Sequence, residues 1–151
     1  MGSNPTLSVE VELNLIILDI MKYFRFEKLV RDSIVAHMEE NNQKPTGVRT
    51  LSGEEFIAEL IRKVIEEAKE MKGTMDREEL KEEIADVFEV LDYLKEVLNL
   101  SNSEIEEIKE NKIKKNGGFS SRTYIEKVGV TEDNKWFQYY LDNPDKYPEV
   151  K

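Results

Sequence analysis

Between Ser52 and Leu98 apolar residues recur every three or four positions, with one break around Lys72–Met75. No other feature limits the fold so tightly. A 3.6-residue period in two consecutive stretches demands two amphipathic helices joined by a short turn. Phe56, Leu60, Val64 and Met71 mark the stripe of the first helix, with Ala68 beside it. Leu80, Ile84, Val87, Leu91, Leu94 and Leu98 mark the second. Start and stop signals agree with this. Ser52 with Glu55, and Asp76 with Glu79, have capping-box spacing. Lys72-Gly73-Thr74 and Asn99-Leu100 close the two helices. So short a connection makes the pair antiparallel.

Two further helices are predicted. The segment Phe26–Asn42 places Val30, Ile34 and Met38 at helical spacing and stops at Asn41-Asn42, Pro45 and Gly47. Ser101 with Glu104 opens another helix, which runs through Ile105, Ile108 and Ile113 to Asn116 and ends on Gly117-Gly118. The expectation is therefore an all-α chain with four principal helices. Tyr124–Val128 reads as a short strand or an extended arm. Residues 129–151 form an aromatic tail, dense from Trp136 to Tyr147, that is expected to dock on its own domain or on a partner subunit. Residues 1–20 differ from the rest: Met-Gly-Ser resembles an expression remnant, and Met21 is the expected native start. Leu13, Ile16, Ile17 and Ile20 there are expected to form an extra helix or strand.

Charge and cysteine content narrow the function. A chain of 151 residues with net charge −10 has no general attraction for nucleic-acid backbones or anionic membranes. A polyphosphate ligand would need divalent cations to offset the repulsion. With no cysteine there is no disulfide framework and no thiolate metal site. No apolar run approaches the ~20 residues that span a bilayer. A cytoplasmic location is expected, and neither a nucleic-acid duplex nor a membrane is an expected partner.

The chemistry lies in the hairpin. Glu67 and Glu70 are three apart on one helix, and Glu83 and Asp86 are three apart on the next, so each pair shares a face. In an antiparallel hairpin the pairs Glu70–Glu83 and Glu67–Asp86 share one midpoint and lie at matching heights. Glu67 continues the stripe of Leu60, Val64 and Met71; Glu83 and Asp86 continue one with Val90, Tyr93 and Val97. Four carboxylates thus converge between two helices. Like charges so placed require protons or cations, and oxygen ligands without His or Cys suit Mg2+ or Mn2+. Lys28, Arg31, Lys63, Lys112 and Lys115 are candidate phosphate partners, although each alone reads as an ordinary solvated side chain. His37 sits among polar neighbours and reads as a surface residue. Its solitude excludes a di-iron bundle, which uses two Glu-x-x-His elements.

Glu66, Glu67 and Glu70, a twelve-residue gap, then Glu83 and Asp86 resemble the signature of the MazG-like all-α nucleotide pyrophosphohydrolase superfamily. Lys28-Leu29-Val30-Arg31-Asp32 and Lys115-Asn116-Gly117-Gly118-Phe119 are similar to a phosphoribosyl-ATP pyrophosphohydrolase-like branch of it. The resemblance covers about 23–128, within a core domain set at 21–128. It implies a four-helix-bundle type of core, a homodimer or homotetramer, and magnesium held by Glu67, Glu70, Glu83 and Asp86. Glu66 would add a ligand or hold or activate water, with Glu67 beside it in the catalytic pair. Lys63 would touch phosphate. The implied reaction is hydrolysis of a nucleoside triphosphate, non-standard ones included, to monophosphate and pyrophosphate. The rivals are a phosphoribosyl-nucleotide pyrophosphohydrolase and a non-catalytic helical interaction module whose glutamates serve only solubility.

Overall fold

The computed structural model describes residues 21–150. The helix or strand expected around Leu13–Ile20 lies outside them. The described residues are helical without strands: α1 (Ile34–Glu40), α2 (Gly53–Gly73), α3 (Arg77–Val97), α4 (Asn102–Asn116) and α5 (Phe137–Leu141). No helix among them is long and apolar enough to cross a membrane. The chain packs as two compact units, one ending at Asn102 and the other beginning at Ser103. This division by packing falls inside the 21–128 span set by resemblance.

The first unit is built on the α2–α3 hairpin. Its turn follows from local chemistry. Asp76 is the N-cap of α3 and its Oδ1 accepts from the amides of Glu78 (2.9 Å) and Glu79 (3.1 Å), while Thr74 Oγ1 accepts from the Asp76 amide at 3.0 Å. Thr74 thereby takes the reciprocal role the sequence reserved for Glu79. At α2, Ser52 is the N-cap by backbone alone, and the Glu55 side chain pairs with the Arg49 guanidinium rather than completing a capping box. Asn99, at φ +52°, ends the α3 region in the left-handed conformation that asparagine tolerates.

Between the two helices the packing is narrow. Leu60 and Val90 are the buried apolar side chains of the described residues, flanked by half-buried Val64, Met71, Leu80, Val87 and Leu94. Leu60, at 2% exposure, is the centre of this seam. Leu60→Ala is expected to cost roughly 2–5 kcal/mol, read as a lower urea midpoint at unchanged slope. A loss below about 1 kcal/mol would mean that the seam does not hold the hairpin.

Two expectations are corrected. The helix predicted over Phe26–Asn42 forms only as Ile34–Glu40. Glu27 has φ +41°, and residues 21–33 run without regular structure as far as the turn at Asp32-Ser33. Lys28 and Arg31 therefore lie before the helix, not at its start. Their side chains pair with carboxylates of the hairpin, and those pairs replace the helical register. The apolar stripe read on α3 also divides. Leu80, Val87 and Leu94 turn inward, whereas Ile84, Leu91 and Leu98 are exposed. At 100° per residue they lie on the flank that also carries Phe88.

In the second unit α4 stops at Asn116, and Gly117 takes φ +79°, as a helix C-terminus requires. Of the two forms open for Tyr124–Val128, the strand is not formed. The aromatic tail packs partly on itself. Tyr140 and Tyr147 meet edge to face at 5.0 Å, and Tyr139 lies 5.8 Å from both Trp136 and Tyr147.

Candidate metal centre

The hairpin is two-sided. Taking Leu60 and Glu83 as inward, one flank of α2 carries Lys63, Glu66 and Glu70, and the matching flank of α3 carries Asp86 and Glu89. Because the helices are antiparallel, these flanks fall on the same side. The other side carries Ile61, Ile65 and Ala68 from α2 with Ile84, Phe88 and Leu91 from α3. Over the middle of the hairpin, charge and bare apolar surface are thus separated by the seam; toward the ends Lys72, Arg77 and Lys95 share the apolar side.

On the charged side, carboxylate oxygens of Glu67, Glu70 and Glu83 lie within 4.8 Å of one another. Octahedral magnesium has ligand oxygens at ~2.1 Å, hence ~3–4.2 Å apart, a spacing comparable with this one. Glu67 is 4% exposed, Glu83 half-buried and Glu70 exposed. Glu83 Oε2 is buried with no hydrogen-bond partner. A buried carboxylate oxygen without a donor is costly, and a cation or a proton relieves it. The donor set and this orphaned atom fit a hard divalent cation.

The fourth expected ligand is held by a different partner. Asp86 Oδ1 accepts from Arg31 Nη2 at 2.7 Å, and Arg31 Nη1 pairs with Glu89. Glu66 is clasped by two ammonium groups: Lys28 Nζ and Lys63 Nζ each donate to its Oε1 at 3.1 Å. Lys63 also pairs with Glu67 Oε1 at 2.6 Å. Eight of the ten expected site residues are thus brought to one side of the hairpin: Lys28, Arg31, Lys63, Glu66, Glu67, Glu70, Glu83 and Asp86. Lys112 and Lys115 belong to the second unit, exposed near the end of α4. Glu89 was missed. Its signal was present, since Glu83, Asp86 and Glu89 continue one three-residue spacing.

The electrostatics divide the carboxylates by role. Burial first, then the charges of Glu70, Glu67 and Asp86, raise the Glu83 pKa above its ordinary value. Burial also pushes Glu66 upward, but hydrogen bonds from Lys63 and Lys28 outweigh it and leave the Glu66 pKa lowered. Burial pulls the Lys63 ammonium down, and its bonds to Glu67 and Glu66 reverse this, so its pKa is raised. Glu66 in this arrangement is a charged acceptor and a weak base.

The Glu83 shift has a sign that can be tested. Between its ordinary and its raised pKa the folded chain holds a proton that the unfolded chain has lost, so stability falls as pH rises through that window. Above it, Glu83 remains a destabilising charge. In chelator at neutral pH, Glu83→Gln is therefore expected to melt higher than the wild type. Magnesium should stabilise the wild type and have much less effect on the variant. At 100 times the Kd, a ligand specific to the folded state adds about 2.7 kcal/mol. Equal melting temperatures in chelator, with equal magnesium shifts, would contradict a strained carboxylate at Glu83.

A hollow of about 540 Å³ borders the carboxylates, lined by Arg62, Ile65, Glu66, Lys69 and Glu70. All five residues lie on α2, so the hollow is open on its far side. No protein-family model matches the chain, and no curated protein or solved structure matches it.

Proposed function

We propose that this chain is a magnesium-dependent nucleotide pyrophosphohydrolase of MazG-like type. It would cleave nucleoside triphosphates between the α and β phosphates to give monophosphate and pyrophosphate. The observation that carries the reading is the meeting of Glu67, Glu70 and Glu83 from two helices, with the buried Glu83 Oε2 lacking any donor. Glu67, Glu70, Glu83 and Asp86 would hold the metal. Magnesium there supplies charge neutralisation on phosphate oxygens and acidification of water. The chain's own residues do the rest. Glu66, held charged by Lys28 and Lys63, orients the attacking water. Lys28, Arg31 and Lys63 offer cationic donors to the polyphosphate, Arg31 in the planar fork that matches phosphate oxygens.

The apolar side supports the second half of the proposal, a homodimer that completes a four-helix bundle. Ile61, Ile65, Ile84, Phe88 and Leu91 are all exposed on one side of the hairpin, Phe88 at 63%. Helices of 21 residues are about 32 Å long and about 10 Å wide. Two side by side present roughly 600 Å² to a partner, close to the ~800 Å² per side of a stable interface. A second hairpin laid on this face encloses a four-helix core.

The test is pyrophosphate release from a panel of ribo- and deoxyribonucleoside triphosphates and phosphoribosyl-ATP, in magnesium and in chelator. Magnesium-dependent release supports the reading, and the ranking identifies the substrate. Silence across the panel would instead favour a helical interaction module.

A further inference from the structure

We infer that Arg31 and Glu89 form a positioning pair that keeps Asp86 away from the Glu67–Glu70–Glu83 carboxylates until a phosphate-shaped oxyanion takes the Arg31 guanidinium. The inference rests on the metal-site reading above. Three of the four carboxylates expected to hold a cation converge, and the fourth does not join them. Asp86 is bound instead by Arg31 Nη2 at 2.7 Å. The other arm of the same guanidinium pairs with Glu89, one turn further along α3. The fork thus spans two carboxylates three residues apart and is anchored to the helix by the one that has no place in the metal site.

A divalent cation arriving alone must compete with Arg31 for Asp86. A phosphate-shaped oxyanion removes that competitor, because the planar guanidinium fits two oxygens of such an anion. Asp86 is then released toward the triad. Oxyanion and cation therefore assist one another through Arg31, and the assistance is reciprocal by linkage. Glu89 keeps the guanidinium beside the site in either state.

Metal binding without nucleotide tests this, using the full chain and Mn2+ followed by the resonance signal of the free ion. Arg31→Gln should bind Mn2+ alone roughly two- to fivefold more tightly, the scale of one partly exposed ion pair. Glu89→Gln, which leaves Arg31 in place, should shift affinity the same way by about twofold, and it serves if the Arg31 variant fails to fold. In an Asp86→Asn background the Arg31 substitution should change affinity by less than about twofold, since coupling is lost with the shared partner. Sodium sulfate, compared with chloride at equal ionic strength and with Mn2+–sulfate pairing in solution allowed for, should tighten Mn2+ binding to the wild type and leave Arg31→Gln unaffected. Equal or weaker Mn2+ binding by a folded Arg31→Gln protein would overturn the positioning role. So would a gain that persists with Asp86→Asn, which would reduce Arg31 to a diffuse positive charge. Absence of saturable Mn2+ binding by the wild type would overturn the metal site itself, and the positioning pair with it.

Discussion

Glu70→Gln is expected to reduce magnesium-dependent pyrophosphate release by roughly 10²–10³-fold, the scale of losing one preorganised electrostatic group. The substitution keeps the shape of the side chain and removes its charge. Glu70 is exposed and adds to the repulsion acting on Glu83, so the variant should melt no lower than the wild type in chelator. Lost turnover could then not be ascribed to unfolding. Activity within about twofold of the wild type would remove Glu70 from the metal site.

Phe88→Glu carries the largest effect on assembly. Phe88 lies at the middle of the apolar side, level with Ile65 across the hairpin, and is 63% exposed. If a second copy covers this face, the substitution buries an unpaired carboxylate at the centre of the interface. Association should weaken by roughly 100-fold or more, and sedimentation should shift from dimer to monomer at micromolar protein. With so little core inside one hairpin, the variant should also melt lower, and it should lose the dependence on protein concentration expected of a dimeric wild type. An unchanged dimer would place the interface elsewhere.

The hairpin was legible in the sequence because its signals are local. Two apolar periods, Asp76 as an N-cap and Gly73 at a stop fix two helices and their direction. Direction fixes which carboxylates meet, so Glu70 and Glu83 could be paired from arithmetic on their positions. Residues 26–33 were misread because periodicity reports only local preference. Lys28 and Arg31 gain more from Glu66, Asp86 and Glu89, up to 58 positions away, than from continuing a helix. Asp86 was placed on the correct side, but the sequence held no sign that Arg31 would claim it. The apolar arc of α3 was too wide for one partner. Spacing alone could not separate the residues facing α2, such as Val87 and Val90, from those left for another surface, such as Ile84 and Leu91. The ends of the chain carry neither long periods nor paired caps, and there the sequence constrained least.

The proposed reaction displaces pyrophosphate from the α-phosphorus, and isotope placement is its sharpest test. A nucleoside triphosphate taken from the panel is turned over in ¹⁸O-labelled water with magnesium, and the products are read by ³¹P resonance. Nucleoside monophosphate should carry the label, pyrophosphate should be unlabelled, and no products should form in chelator. Nucleoside diphosphate with labelled inorganic phosphate, or labelled pyrophosphate, would contradict it.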